Sequence, residues 1–546
     1  MKHLLIVTLF LTFTASVFGQ SEETVDYFST FAYGNPIVGK AGEHYKGVTY
    51  IAFQGDLEDP YVAAYDHEND KWIGPYKAGE SVLGKNGKID NHGKPTLVVD
   101  GEGYIHLVFG GHGGTKDLGE NTLGNYNSGK QIHVRTRNPE DISSWQVIDN
   151  VQPFATYSQF IKMDNGDLYL FYRHGAHRSN WVYQISRDNG LTFSPKVSFL
   201  HAKPTAPIPA SDDVWDSWYI NLERGNGNDI LVSYNYHVCH NSAPGQHSGW
   251  RHSCYFMRFD TDKKEWYNIQ NEKLTLPITK EYADNKTLAV NTGDGWNHIG
   301  RVGLNSLDYP HVSWYEGEDN GTQHGGTKQL VNYQWNGTEW EGGSTNLPKP
   351  GTGEMVIKSP QSISYLLAFV RQGAGIVGWW ESTDGGRVFS REESLIEQEG
   401  KNFKLSHFIR NAHPDAKIIA TQQIAGSDFS RIYLLGKNGP IGRPKAEADE
   451  VKLDGTNYII TAVDDDLNSS ELLKVYPNPS GSTINIEFLK EGAKNLSIYN
   501  LGGQLVWQKN TVINKVQLSK GADLRAGTYL LIVSGDYSTT HKIVIR

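Results

Sequence analysis

Between residues 91 and 219 the sequence gathers side chains that can move protons and hold an anion. In order they are Asn91 and His92 in "NHGKP", His112 in "FGGHGG", and Tyr157. Tyr172, Arg173 and His177 follow in "FYRHGAHRSNW", and Tyr219 in "DSWYIN". The set is rich in His, Tyr and Arg, with no obvious carboxylate pair of the kind glycoside hydrolysis uses. It also has no nucleophile elbow and no phosphate-cradling glycine loop. His and Tyr can abstract and donate protons, and Arg can clamp a carboxylate in bidentate fashion. Those parts suit β-elimination from a uronic acid. Neutralising the sugar carboxylate acidifies the C5 proton, a base removes it, and an acid protonates the departing O4 oxygen.

Residues so far apart in the chain can share a site only if the fold returns to one place repeatedly. Helical periodicity is almost absent, and short alternating strands with Gly, Asn and Asp turns dominate. One strand type recurs: "VTYIAF" near Ile51, "GYIHLVF" near Leu107, "GDLYLFY" near Leu170 and "NDILVSY" near Val232. It continues as "YPHVSWY" near Val312, "SYLLAFV" near Leu367 and "SRIYLLG" near Leu434. Seven such strands at roughly 60-residue intervals predict an all-β fold, a seven-bladed β-propeller. A stacked sandwich would not explain so regular a repeat. Blades radiate from an axis, so strand ends and loops of neighbouring blades converge on one face. "SRDNGLTFS" (186–194) and "STDGGRVFS" (382–390) resemble the Asp-box turn of sialidase-like propellers, which makes Asp188 and Asp384 structural capping residues.

The 546 residues suffice for one large domain and a smaller one. A net charge of −10 gives no basis for nucleic-acid binding, and two cysteines exclude a disulfide-dense scaffold. Lys2, His3 and the apolar run Leu4–Phe18 have the layout of a signal peptide over residues 1–19, and no later segment is apolar enough for a membrane helix. The propeller is expected over 20–445 and a polar, acidic linker over 446–472. Residues 473–546, with "KVYPNPSGSTINIEF" and "AGTYLLIVSGDYSTTHKIVIR", resemble the C-terminal sorting domain of the Bacteroidetes type IX secretion system. That resemblance implies a small β-sandwich, engagement of the secretion machinery, and a secreted or cell-surface protein; a monomer is expected.

The run around His92, "FGGHGG" around His112, Tyr157 and "YRHGAH" around Arg173 resemble the β-propeller ulvan lyases of polysaccharide lyase families 24 and 25, with spacing closer to family 25. The resemblance implies elimination within ulvan, a sulfated algal polymer of rhamnose and uronic acid. Carried over, His92 is the expected base and Tyr157 the expected acid, although the two roles could be exchanged or Tyr157 could hold both. His112 would stand beside them and Arg173 would neutralise the uronate. Asn91, Tyr172, His177 and Tyr219 are expected substrate contacts. Two other readings of a propeller stay open at this point: a hydrolase of the α-L-rhamnosidase type, and a glycan-binding module without catalysis.

A second cluster follows a different logic. In "YNYHVCHNSAPGQHSGWRHSCYF" (234–256), one antiparallel register sets His237 opposite Cys254 and Cys239 opposite His252. Two thiolates and two imidazoles on one face suit a structural zinc, and a shifted register, or His240 or His247 as a ligand, would change that set. A Cys239–Cys254 disulfide is the alternative, though diagonal partners lie roughly 7–8 Å apart. No catalytic cofactor is implied, and a bracing calcium stays open. Asp212–Asp213 and Glu316–Glu318 read as solvated loop carboxylates.

Overall fold

The computed structural model describes residues 23–83, 89–202, 214–240, 251–293, 295–318, 326–348, 352–449, 473–489, 492, 494–500, 505–535 and 539–545. The expected signal segment, Asp212–Asp213 and linker residues 450–472 lie outside them. The chain divides into two units, one carrying the N-terminal part to Leu453 and one carrying the C-terminal part.

The first unit is a ring of seven antiparallel four-stranded blades; blades 7 and 1 are joined by one parallel bridge, Arg410 to Glu43, and blade 4 carries a short extra strand. Blade 1 runs from Gly42–Tyr45 to Lys71–Lys77, blade 2 from Thr96–Val99 to Trp145–Val147, and blade 3 from Thr156–Lys162 to Val197–Leu200. Blade 4 runs from Val214–Arg224 to Glu265–Tyr267, blade 5 from Gly295–Leu304 to Trp340–Pro348, and blade 6 from Thr352–Ile357 to Ser390–Glu399. Blade 7 takes three strands from the end of this unit, Phe403–His413, Ala416–Gln423 and Phe429–Gly436, and its fourth, Ser29–Tyr33, from the beginning.

The strings picked out in the sequence are apolar because their strands are covered on both faces. In blade 6, Leu366 and Ala368 pack with Ile418 and Ala420 of blade 7, while Tyr365 and Leu367 pack with Leu330 of blade 5. The core is therefore a ring of blade–blade interfaces, each burying side chains worth about 1.5–3 kcal/mol apiece. In blades 1 to 6 the recurring strand is the second of its blade. In blade 7 the expected string, Phe429–Gly436, is the third strand, and Ala416–Gln423 is the second. The N-terminal strand covers its far edge, so Ile432 and Leu434 are as deeply buried as any inner-strand residue.

First strands adjoin around the axis, where charge replaces the apolar core. Glu354 meets Arg301 at 2.9 Å and His407 at 2.8 Å, and Glu43 pairs with Arg410 at 3.2 Å and also with Lys162. Burial opposes ionisation of Glu354, but Arg301 and His407 outweigh it and hold the carboxyl at about 2.

Both Asp-boxes form as expected. Asp188 accepts from Ser186 Oγ (2.8 Å) and from the Thr192 amide (2.9 Å); Asp384 accepts from Ser382 Oγ (2.7 Å) and from the Arg387 and Val388 amides (both 3.0 Å). Residues 446–449, placed in the linker by sequence, instead belong to a short helix, Lys445–Asp449, whose Asp449 accepts from the Tyr27 hydroxyl at 3.0 Å.

In the C-terminal unit a three-stranded sheet (Leu473–Tyr476, Thr483–Phe488, Lys515–Ser519) and a four-stranded sheet (Lys494–Asn500, Leu505–Thr511, Gly527–Gly535, Thr539–Ile545) share one core. Ile484, Ile486 and Leu518 of the first meet Leu496, Ile498 and Leu531 of the second. This is the expected sandwich. Among the described residues no helix is long and apolar enough to cross a membrane.

Candidate active site

In an antiparallel blade, the loop before strand 1, the end of strand 2 and the start of strand 3 lie on one face of the ring. His92 precedes strand 1 of blade 2, His112 ends its strand 2, Tyr157 begins blade 3 and Arg173 ends its strand 2. Tyr219 stands midway along strand 1 of blade 4. The Asp-box turns, between strands 3 and 4, fall on the opposite face.

The loop carrying His92 is fastened from below. Glu58 Oε1 accepts from the amides of Asp90 (2.6 Å) and Asn91 (2.8 Å). Asn91 sits in the left-handed region at φ 62°, and its Oδ1 accepts from the Asn35 amide at 2.9 Å and from Gln54 Nε2 at 3.3 Å. Asn91, expected to touch substrate, fixes the turn that presents His92 through its Oδ1.

Asp90, which the sequence reading passed over, joins the two histidines. Its Oδ1 accepts from His92 Nδ1 at 2.7 Å and its Oδ2 from His112 Nδ1 at 2.8 Å, while the imidazoles stack 3.7 Å apart at 7°. Burial pushes the Asp90 carboxyl up, but the hydrogen bonds from His112 and His92 outweigh it and hold the group well below the usual carboxylate range. An ionised acceptor fixes the proton of each ring on Nδ1. His112 Nε2 then accepts from Asn127 Nδ2 at 3.3 Å, and burial holds its pKa below the ordinary imidazole value. His92 Nε2 has no partner among the described residues. Asp90, His92 and His112 also form the one three-residue group of potential metal ligands among them, yet their spacings are those of hydrogen bonds.

Tyr157 lies on a β-bulge. Thr156 pairs with Arg173 and Gln159 with Phe171, and the interrupted register leaves Tyr157 at φ 59°, a strained position for an aromatic residue. Its ring centroid is 5.4 Å from His92 and 5.9 Å from Tyr219. Burial, and then Tyr219, raise the pKa of its hydroxyl; Arg173 and Arg251 pull the other way without overcoming them. The phenol keeps its proton. Arg173, 1% exposed, donates from Nη1 to Ser217 Oγ at 3.3 Å and stands 5.0 Å from the Tyr157 ring; its Nε is buried without a partner. Tyr219 receives Arg173 at 5.7 Å and His177 at 6.3 Å.

Tyr172 is not part of this group. Strand alternation turns it away from Arg173 into the interface of blades 2 and 3, where it is fully buried and donates to Gln184 Oε1 at 2.6 Å. The expected zinc register is also not the one observed. His237 pairs with Arg251 and His252 with Tyr236: Tyr234 already faces Tyr255, two residues off the expected register, and a bulge at Ser253 (φ 59°) adds one more. His237 therefore joins the cleft, 4.8 Å from His177 and 5.6 Å from Tyr219. Cys254 packs among Phe256, Val302, Val312 and Trp314 as a free thiol whose pKa burial raises; that removes the disulfide alternative. The side chain of Cys239 lies outside the described residues.

Sequence reasoning missed Arg251 as well. Its guanidinium is 4.5 Å from the Tyr219 ring and 5.3 Å from that of Trp296. Beyond Trp296, blade 5 holds an open cavity of about 510 Å³ lined by Glu316, Lys328, Gln329 and Asn346. Glu316, expected in a solvated loop, belongs to the strand Pro310–Glu318 and accepts from Trp314 Nε1 at 2.9 Å.

Comparison with known proteins defines the class. Residues 48–346 match the BNR repeat-containing family and residues 474–546 match the secretion system C-terminal sorting domain, so the chain is a BNR-repeat propeller with a tail that marks a secreted or cell-surface protein. An ulvan lyase of Nonlabens ulvanivorans is 46% identical over 78% of this chain and 92% of its own length. The family 25 ulvan lyase of Pseudoalteromonas sp. (strain PLSV) is 42% identical over 77% and 88%. A solved family 25 ulvan lyase superimposes with a TM-score of 0.73 at 42% identity, over 78% of this chain and 99% of that one; the same enzyme has been solved with -[GlcA(1-4)Rha3S]- bound. The chain belongs to the ulvan lyases of polysaccharide lyase family 25.

Proposed function

We propose that this enzyme cleaves ulvan by β-elimination at the uronic acid, with His92 as base, Tyr157 as acid and Arg173 as the clamp on the uronate carboxylate. One observation carries the division of roles: of the four ring nitrogens in the stacked pair, only His92 Nε2 is uncommitted. His92 Nε2 takes the C5 proton, the C5 electron pair forms the C4–C5 double bond, and the C4–O4 bond breaks toward oxygen. Tyr157, held protonated by burial, gives its proton to O4. Return of the proton from His92 to Tyr157, whose rings are 5.4 Å apart, resets the pair. Arg173 faces no carboxylate among the described residues, which leaves its charge for substrate. Hydrolysis is disfavoured because the carboxylate at the centre of the group, Asp90, is engaged by two imidazoles.

Incubation with ulvan should release unsaturated uronate ends, followed by their ultraviolet absorbance. His92→Ala and Tyr157→Phe should each lower kcat by at least about a hundred-fold with an unchanged circular dichroism spectrum. Reducing ends without the unsaturated chromophore would instead indicate a hydrolase.

A further inference from the structure

Among the described residues, Arg173 and Arg251 are buried guanidinium groups of this face with no carboxylate partner. Arg251, at the start of strand 3 of blade 4, is 8% exposed, and its guanidinium rests against the rings of Tyr219 and Trp296. Its Nε is buried without a hydrogen-bond partner, and no carboxylate pairs with it among the described residues. The axis of the same ring shows the usual arrangement: Arg301 and Arg410 each meet a glutamate. A desolvated guanidinium with no carboxylate beside it is costly unless an anion completes it. Two such groups flank Tyr219, at 5.7 Å and 4.5 Å, and elimination itself employs one.

We propose that Arg251 is the anchor for a second anion of the substrate, the sulfate ester on the sugar beside the uronate; this rests on the ulvan reading above. The repeat bound by the related enzyme, -[GlcA(1-4)Rha3S]-, carries two anions, a carboxylate and a sulfate. Arg173 takes the first, next to the base and acid, and Arg251 takes the second on the far side of Tyr219. The fork of a guanidinium can give two parallel hydrogen bonds to sulfate oxygens, as it does to phosphate. Trp296, itself buried, keeps water from one side of that contact, and the half-buried Tyr219 offers its ring to the sugar. Arg251 thus sets specificity for sulfated over unsulfated polymer without touching the reacting atoms.

The test uses the full chain with native and chemically desulfated ulvan. Binding is measured in a Tyr157→Phe background, so that polymer survives, and turnover is measured in the otherwise native enzyme. Arg251→Gln should weaken binding and raise KM on native ulvan by about ten-fold, against less than about three-fold on desulfated ulvan. Arg251→Lys, which keeps the charge and guards against a misfolded Gln variant, should fall between. Equal losses on both polymers for the Lys variant, or no loss on native ulvan for either, would overturn the assignment. Failure of the native enzyme to release unsaturated ends would strike the lyase reading instead, since sulfate-dependent binding is read separately.

Discussion

Asp90 sits between two imidazoles and accepts from the Nδ1 of each, so one carboxylate sets the protonation pattern of the whole group. An amide in its place would present a donor to one Nδ1 and force that ring into the other tautomer. Asp90→Asn should therefore lower kcat by about a hundred-fold or more while KM stays within about three-fold, since Asp90 acts through His92 rather than on the sugar. A KM effect equal to the kcat effect would show that Asp90 contacts substrate. The residue types of the site were legible in the sequence because His, Tyr and Arg beside glycine-rich turns narrow the chemistry to proton transfer and anion binding. Asp90 and Arg251 were not, since an acidic residue in a turn and an arginine in a hairpin look ordinary until their neighbours are known. Tyr172 was overread for the same reason: adjacency in sequence to Arg173 says nothing about which way a side chain points.

Elements position these residues through irregularities as much as through regular strands. The bulge at Tyr157 points its ring at His92, and the bulge at Ser253 moves His237 from opposite His252 to opposite Arg251. A register drawn from even alternation can neither fix the phase of a hairpin nor anticipate a bulge, which is why the pairing expected for the zinc cluster differs from the one observed. The Asp-boxes were legible because their turns depend on local side-chain to backbone bonds alone. Asp188→Ala removes acceptors from Ser186, Thr192 and its amide at the face away from the site. It should lower stability by about 1–2 kcal/mol in denaturant titration and leave turnover unchanged. A fall in kcat at equal stability would link the two faces of blade 3.

At the scale of the molecule, several imidazoles are locked in neutral form by the ring. Burial, with His106 adding to it, holds His133 at about 3; burial and Lys196 hold His174 at about 3; burial holds His311 at about 4. Each lies below the value of about 6.5 that an unfolded chain gives, so the folded state binds fewer protons. Stability is therefore full above about pH 6.5 and falls as pH drops toward 4, by at most about 1.4 kcal/mol per pH unit for each group. The melting temperature should decline between pH 7 and pH 5, and His311→Gln should flatten that decline. An unchanged slope in the variant would remove His311 from the effect. The seven-fold repeat was legible because both faces of each inner strand are buried, which writes long apolar strings into the sequence. The phase of blade 7 was not, because its outermost strand comes from the other end of the unit.

That borrowed strand has a consequence for the order of events during export. Ser29 pairs with Ile432, so the ring can lock only once nearly the whole unit has been made. Until then the first strand is an unpaired edge awaiting its partner. The sorting tail lies after Ile432 in the chain, so every strand needed for locking precedes it. Synthesis therefore delivers the means to close the ring before it delivers the signal for passage to the outside.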